Sequence, residues 1–308
     1  MVDSPDQQTH LAGVEVKNLS LIAVLTDPKG VLSKTRTIEL KPRKDLLSQL
    51  TDVIASLKKD DPEISSVGVA VPGLVDRKTG RVAFSANIPS HSDVDLVSSV
   101  AAETGLRVVI ENDANAAAYG EFSAGSGRGS RNIFYATLGE GVGGAFIFDG
   151  KIWRGAAGFA GEFGHVLINS EGSRLEEVAA ADSIIRRTRG RFKQDSTSSL
   201  KKFDESEIDL PQIITAAEHD DDFAQMMLER TGTYVGTAIA SVINLLNIEK
   251  IVIGGEIMQA KKLVLKAIIE RARELSFAPS FDSTSIVQGE LGPNAAAIGA
   301  AFLTQQAE

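Results

Sequence analysis

The stretch Ile110-Glu111-Asn112-Asp113-Ala114-Asn115-Ala116-Ala117-Ala118-Tyr119-Gly120 joins a short apolar run, Leu106–Ile110, to an alanine-rich segment that ends at Phe122. A continuous apolar run bounded by turn signals reads as a strand covered on both faces. The alanines after it read as a helix, so Asn112 and Asp113 fall on a strand-to-helix junction. A carboxylate on the first helical turn gains from the N-terminal dipole. Asp and Asn are also preferred helix caps, so the junction alone does not separate a structural acid from a chemical one.

Outward from this junction, the chain before it alternates in the same style. Val14–Val16, Leu21–Thr26 and Val31–Leu40 are β-rich runs, with Asp27-Pro28-Lys29-Gly30 as a turn. Leu46, Leu47, Leu50, Val53, Ile54 and Leu57 make a helical stripe. Val67–Val71 is a second buried strand, ended by Pro72-Gly73, and Val94–Thr104 a second helix. Strands followed by alternating helices and strands predict a mixed sheet with helices packed on it.

Beyond the glycine-rich break at Gly125–Ser130, two strands, Ile133–Thr137 and Gly143–Phe148, read as hairpin-like, with the Asp149-Gly150 pair as the turn. The stretch Phe192–Asp209 is polar and Ser/Lys-rich and reads as a mobile connection. Lys250–Ile253 is a strand running into Gly254-Gly255, and Ala295–Gln305 is a closing helix.

Composition removes whole classes of function. The 308 residues are 43% hydrophobic and 24% charged, the profile of a soluble chain long enough for two domains. There is no cysteine, which excludes a thiol nucleophile, disulfides and Cys-ligated zinc or iron–sulfur sites. Thirty-two Lys and Arg against 41 Asp and Glu give a net charge of −9, which argues against a general nucleic-acid or acidic-membrane binder. The start, MVDSPDQQTH, has no apolar core of a signal peptide, and Ala238–Ile253 is broken by Asn244, Asn247, Glu249 and Lys250 before it can span a bilayer. The expected location is the cytoplasm. The Arg186-Arg187-Thr188-Arg189-Gly190-Arg191 cluster ends a helical segment, where cations favour the dipole, and reads as helix-end solvation.

A second polar constellation accompanies the junction. Arg154-Gly155-Ala156-Ala157-Gly158-Phe159-Ala160 runs into Gly161-Glu162-Phe163-Gly164-His165. Small residues admit a ligand close to the backbone, and Glu162 and His165 add an acceptor and an amphoteric group, a set suited to vicinal hydroxyls of a sugar. Gly139–Gly144 is glycine-rich too, but it lies between two strands with no helix behind it, so it fails the structural condition of a dinucleotide fingerprint.

Taken with Gly68–Asp76, Ser85–Pro89, Thr137–Gly144, Ile253–Glu256 and Leu291–Ala301, these segments resemble the ROK family of bacterial sugar kinases and sugar-responsive repressors, its glucokinase-like members included. The resemblance covers nearly the whole chain, through the order and spacing of motifs that are individually weak. It implies the α/β, actin/hexokinase-like (ribonuclease H-like) two-domain ATPase fold with a cleft between the lobes. The expected division is a smaller domain over 1–118, rejoined by the C-terminal helix 295–308, and a larger one over 119–294.

The resemblance also implies roles. Asp113 matches the base that takes the proton of the attacking sugar hydroxyl. Asn87, Asn112, Glu162, His165 and Glu176 match sugar-contacting positions for a hexose or amino-hexose. Glu15, Lys17, Gly139, Gly141, Gly143, Gly254 and Gly255 fall on the ATP and Mg²⁺ side. Homodimers or homotetramers are the family's expectation.

The departures lie on the phosphate side. Many family members have a cysteine-rich zinc loop after Gly-Glu-x-Gly-His; here only Val166–Ser173 separates His165 from Arg174, so no structural zinc is expected. The family's first phosphate loop, Asp-x-Gly-Gly-Thr-Lys, reads Glu15-Val16-Lys17-Asn18-Leu19-Ser20, without either glycine. Glu15 keeps a carboxylate able to hold Mg²⁺ through water. In the second loop Glu140 replaces a hydroxyl residue. A carboxylate ~4 Å from a phosphate oxygen costs roughly 4 kcal/mol at an effective dielectric of ~20, unless a cation such as Lys17 neutralises it. Two readings follow: an ATP-dependent hexose kinase, or a catalytically inactive sugar-binding regulator on the same fold. The second has no DNA-binding module within the sequence, since only about ten polar residues precede the first strand, so it would act by protein contact.

Overall fold

Val67–Val71 lies within a strand, β4 (Ser66–Val71), next to the central strand of a mixed five-stranded sheet. A computed structural model describes residues 10–42, 44–76, 79, 81–84, 95–260 and 262–306. These residues form two compact units. Unit 1 holds the chain up to Gly129, Lys151–Ala160 and the segment from Pro293; unit 2 holds Ser130–Gly150 and Gly161–Gly292.

In unit 1, β1 (Leu11–Val16), β2 (Ser20–Thr26) and β3 (Leu32–Glu39) form an antiparallel meander. The strands β4 (Ser66–Val71) and β7 (Arg107–Asn112) add in parallel on the other side of β1, giving the order β3-β2-β1-β4-β7. A small hairpin, β5 (Leu74–Asp76) with β6 (Arg81–Phe84), follows β4. The apolar stripe read in the sequence becomes α1 (Leu46–Asp60), which buries Leu50, Val53, Ile54 and Leu57. Its Asp45 cap accepts from the Ser48 N–H, and Lys58 and Lys59 sit at the negative end of the dipole. The next helix, α2, is described over Leu96–Thr104, after its cap Asp95.

The junction that opened the reading is β7 followed by α3 (Asp113–Ala124). The cross-sheet register places Glu15, Ala70 and Glu111 in one row. The last helix of the chain, α10 (Ala295–Leu303), packs with α3 and over β1 and β4. Its approach is so close that a Cβ on Gly68 would lie 1.8 Å from the Ala300 carbonyl oxygen, and one on Gly299 would lie 1.7 Å from that of Ala116. Only glycine permits backbone-to-backbone packing at this range.

In unit 2, β8 (Ile133–Leu138) pairs antiparallel with β9 (Val142–Phe148) and parallel with β11 (Lys250–Gly254), which pairs in parallel with β12 (Ser285–Gln288). The β8–β9 turn therefore lies at 139–141. Asp149 and Gly150, expected to close that hairpin, instead turn the chain out of β9 into β10 (Lys151–Trp153). Both have positive φ, 51° and 76°, which is why an Asp-Gly pair serves there. Four helices cover the sheet region: α4 (Leu175–Ala179), α5 (Ala181–Arg189), α6 (Leu210–Glu218) and the 25-residue α7 (Asp222–Leu246). Two more follow, α8 (Lys262–Leu275) and α9 (Ala278–Asp282).

The connection Phe192–Asp209 is not a loose linker. It folds into three short 3₁₀ turns and sends Phe192, Leu200 and Ile208 into the core. Three buried apolar side chains spaced by eight residues give no helical or strand period, so their anchoring was hidden by the polar residues between them. Asp221, the α7 cap, fastens the same connection. Its Oδ2 accepts from the Ser198 hydroxyl at 3.0 Å and from the Ser199 N–H at 2.6 Å. The arginines at the end of α5, expected to be solvated there, instead donate into the fold: Arg187 to the Val178 carbonyl and the buried Thr231 hydroxyl, and Arg189 to the Ile208 and Ser206 carbonyls. Among the described residues no helix is long and apolar enough to cross a membrane.

Candidate active site

The β7–α3 junction separates two roles that the sequence left superposed. The cap of α3 is Asn112, whose Oδ1 accepts from the Asn115 N–H at 3.0 Å. Asp113 is the first helical residue, and its carboxylate is not consumed in capping. Its Oδ1 accepts from the Ala114 N–H at 2.8 Å and from Asn112 Nδ2 at 2.9 Å. The same Asn112 Nδ2 donates to the Gly73 carbonyl at 3.0 Å, which ties the junction to the turn after β4. Burial raises the Asp113 pKa to about 6, against the lowering pull of the Ala114 N–H, Lys17 and Asn112.

Glu15 ends on the same side of the sheet. It is 9% exposed, and burial pushes its pKa up to about 7, with Lys17 working against that shift and Asp113 adding to it. Unit 1 thus brings together two carboxyls of raised pKa and one lysine. The turn beyond Glu15 is closed by the Lys17 N–H, which donates to the Ser20 carbonyl at 2.9 Å. Leu19 stands at its tip, 77% exposed.

Glu111, which the sequence reading passed over, is the most heavily bonded acid of the junction. It is 3% exposed. Oε1 accepts from the Asn112 N–H and from Asn115 Nδ2, each at 3.1 Å. Oε2 accepts from Arg154 Nε at 3.2 Å and Nη2 at 2.5 Å. A glutamate at the end of a buried strand was the available signal, since a buried acid demands a partner.

Unit 2 gathers the remaining motifs around the β8–β9 turn. Glu176 Oε2 accepts from the Val142 N–H at 2.9 Å, and a Cβ on Gly141 would stand 2.9 Å from the same oxygen. Gly164 lies against the Val142 carbonyl, and Gly161 against that of Gly144. The 3₁₀ turn Phe163–His165 carries His165, whose Nε2 is 4.0 Å from Glu162 Oε2; both side chains are more than half exposed. Gly255, at φ 94°, backs onto Leu138, and Glu256 lies beside Gly139. Glu162, His165, Glu176, the loop of Gly139, Gly141 and Gly143, and the loop of Gly254 and Gly255 are therefore neighbours in one unit. Asn112, Asp113, Glu15 and Lys17 are neighbours in the other. Asn87 lies outside the described residues. Among the described residues no group of three or more acids and histidines is placed to hold a metal ion.

Comparison with known proteins draws on the whole chain. The profile of the ROK family matches residues 12–307. A glucokinase of Thermotoga maritima is 32% identical over 310 residues, which cover 96% of this chain and 97% of that protein. The xylose repressor of Bacillus subtilis is 28% identical over 94% of this chain and 75% of its own length. The crystal structure of a ROK family glucokinase from Streptomyces griseus, in complex with glucose and AMPPNP, superposes with a TM-score of 0.86 at 27% identity, over 96% of this chain and 99% of that one.

Proposed function

The chain belongs to the ROK family and has its actin/hexokinase-like α/β fold, and on that footing we propose that it is a hexose kinase that transfers the terminal phosphoryl group of ATP to a sugar hydroxyl. The observation that carries this reading is the Asp113 carboxyl. It is held by two donors on one oxygen, spared from capping by Asn112, and raised to about 6. A base near that value is ionised at neutral pH and more basic than an ordinary aspartate, the condition for accepting a hydroxyl proton.

The chain's own residues divide the work. Asp113 accepts the proton of the attacking hydroxyl, while Asn112 and the Ala114 N–H fix the carboxyl's plane. Glu162, His165 and Glu176 orient sugar hydroxyls, with Asn87 contributing by its motif position. The loop of Gly139, Gly141 and Gly143, and that of Gly254 and Gly255, suit the triphosphate and adenosine. Their fit rests on the absence of side chains at these glycines, which lets a ligand come close to the backbone. Mg²⁺ needs only one or two protein carboxylates because it retains water and phosphate oxygens, and Glu15 fits that part. ATP, when bound, supplies the activated phosphoryl group, and transfer asks the protein mainly for positioning and charge neutralisation.

The similarity to glucokinases supports glucose as the first sugar to assay, with N-acetylglucosamine second. A sugar-responsive regulator is the second reading, favoured by the closed Lys17–Ser20 turn and by the likeness to a xylose repressor. A coupled assay of glucose-dependent ADP formation separates the two. Turnover in the wild type that disappears in Asp113→Asn is the expected result; turnover that survives the substitution removes Asp113 as the base.

A further inference from the structure

The pair Arg154–Glu111 stands directly before Asn112, at the β7–α3 junction. Arg154 lies between Trp153 and the glycine-rich segment that starts at Gly155. Its side chain donates to Glu111 Oε2 through Nε and Nη2, and Nη1 donates to the Ile152 carbonyl at 3.3 Å. Its own carbonyl accepts the Ala160 N–H at 3.0 Å, which closes 154–160 into a loop. One residue therefore fastens the glycine-rich segment at its base and reaches the strand that delivers Asn112 and Asp113.

Glu111 distributes that tie. Its Oε1 holds the Asn112 N–H, the backbone group directly before Asp113, and Asn115 Nδ2, on the first turn of α3. Asn115 is itself 5% exposed, and its N–H is the one capped by Asn112. Both sides of Asp113 are thus held from one carboxylate. A carboxylate this deeply buried calls for a cation beside it. Arg154 is the cation that the structure provides.

We propose that Arg154 and Glu111 are positioning residues for Asp113: the ion pair holds the Glu111 carboxylate in place, and Glu111 fixes the backbone and the first helical turn that aim the Asp113 carboxyl. This rests on the reading of Asp113 as the base. Neither residue touches the reacting atoms in this account. The pair acts chiefly on the geometry of transfer: of the residues matched to sugar-contacting positions it bonds only Asn112, and that through the backbone N–H, while Glu162, His165 and Glu176 belong to other elements.

The test compares four variants of the full-length protein, measuring kcat by coupled assay and glucose binding by calorimetry. Arg154→Met is expected to lower kcat at least tenfold with the glucose Kd within threefold of wild type. Arg154→Lys, which restores the charge, is expected to recover most of that loss. A purely structural role would lower the melting temperature and would not separate kcat from Kd or be rescued by lysine. Should Arg154→Met not fold, Glu111→Gln carries the test, with kcat expected to fall at least threefold at unchanged glucose Kd. Wild-type kcat in Arg154→Met, or in Glu111→Gln where that variant stands in, overturns the proposal while Asp113→Asn remains inactive. Full turnover in Asp113→Asn overturns the base itself, and this inference with it.

Discussion

The turn Lys17–Ser20 and the turn Gly139–Val142 each join an antiparallel strand pair, yet their surroundings differ. Neither has a residue of positive φ, and each spends its first N–H within the turn, Lys17 on the Ser20 carbonyl and Gly139 on the Gly141 carbonyl, both at 2.9 Å; in the first a leucine stands in solvent at the tip. In the second, glycines let neighbouring chains approach to distances that a side chain would forbid, and a carboxylate, Glu176, holds the Val142 N–H. Each turn is closed by its own hairpin, and the second is held by its surroundings as well. A loop of the first kind tolerates change and offers few free donors. A loop of the second kind is over-determined, which is what a preorganised phosphate cradle requires.

The largest effect that bears on this contrast is chemical. Asp113→Asn is expected to lower kcat at least a thousandfold, since amide nitrogen and oxygen cannot accept the hydroxyl proton. In the wild type kcat should fall as pH drops through about 6, where Asp113 becomes protonated. A flat profile from pH 5 to 8 would detach the base from this carboxyl.

Gly144→Ala probes the over-determined turn directly. Its Cβ would stand 2.8 Å from that of Phe163 and 3.0 Å from the Gly161 carbonyl oxygen. A loss of roughly 2–3 kcal/mol in denaturant unfolding is expected from such overpacking. A loss below about 0.5 kcal/mol would show that the surroundings of the turn yield.

The carboxyl before the first turn gives a pH signature of comparable or smaller size. Burial raises Glu15 from 4.5 to about 7, so the folded protein holds a proton that the unfolded chain has released. Stability should therefore decline as pH rises from about 4.5 to beyond 7. Glu15→Gln should remove the part of that decline that runs past pH 6, leave the part Asp113 contributes below it, and stabilise the protein at pH 8, by about 3 kcal/mol at most. A variant no more stable than wild type at pH 8 would mean that Lys17 already neutralises the buried acid.

Asn18→Gly is expected to do least. The turn needs no left-handed residue, so glycine there adds the entropy of a freer unfolded chain, about 0.5–1 kcal/mol, to the loss of the Asn18 side chain's own interaction. A larger loss would show that the Asn18 side chain helps build the turn.

The same contrast explains what the sequence disclosed. Continuous apolar runs such as Val67–Val71 and the stripe Leu46–Leu57 have a period, and they appear as β4 and α1. The strand-to-helix junction was legible because apolar residues, Asn-Asp and alanines follow one another without a break. Three things were not. The segment Phe192–Asp209 is anchored by residues too widely spaced to form a pattern. The Asp149-Gly150 signal marked a real turn but gave no means of choosing which strands it joins. Glu111 and Arg154 are 43 residues apart, and only tertiary structure pairs them. The separation of cap from candidate base at Asn112 and Asp113 was equally invisible, because either residue type can fill either role.

The most direct test of the kinase reading is calorimetric titration of the protein with Mg·ATP, in the presence and absence of glucose and of N-acetylglucosamine. The account predicts binding of nucleotide as well as of one sugar, in a protein that then turns over. Sugar binding with no detectable nucleotide binding would contradict it, and would assign the closed Lys17–Ser20 turn to a sugar-responsive regulator.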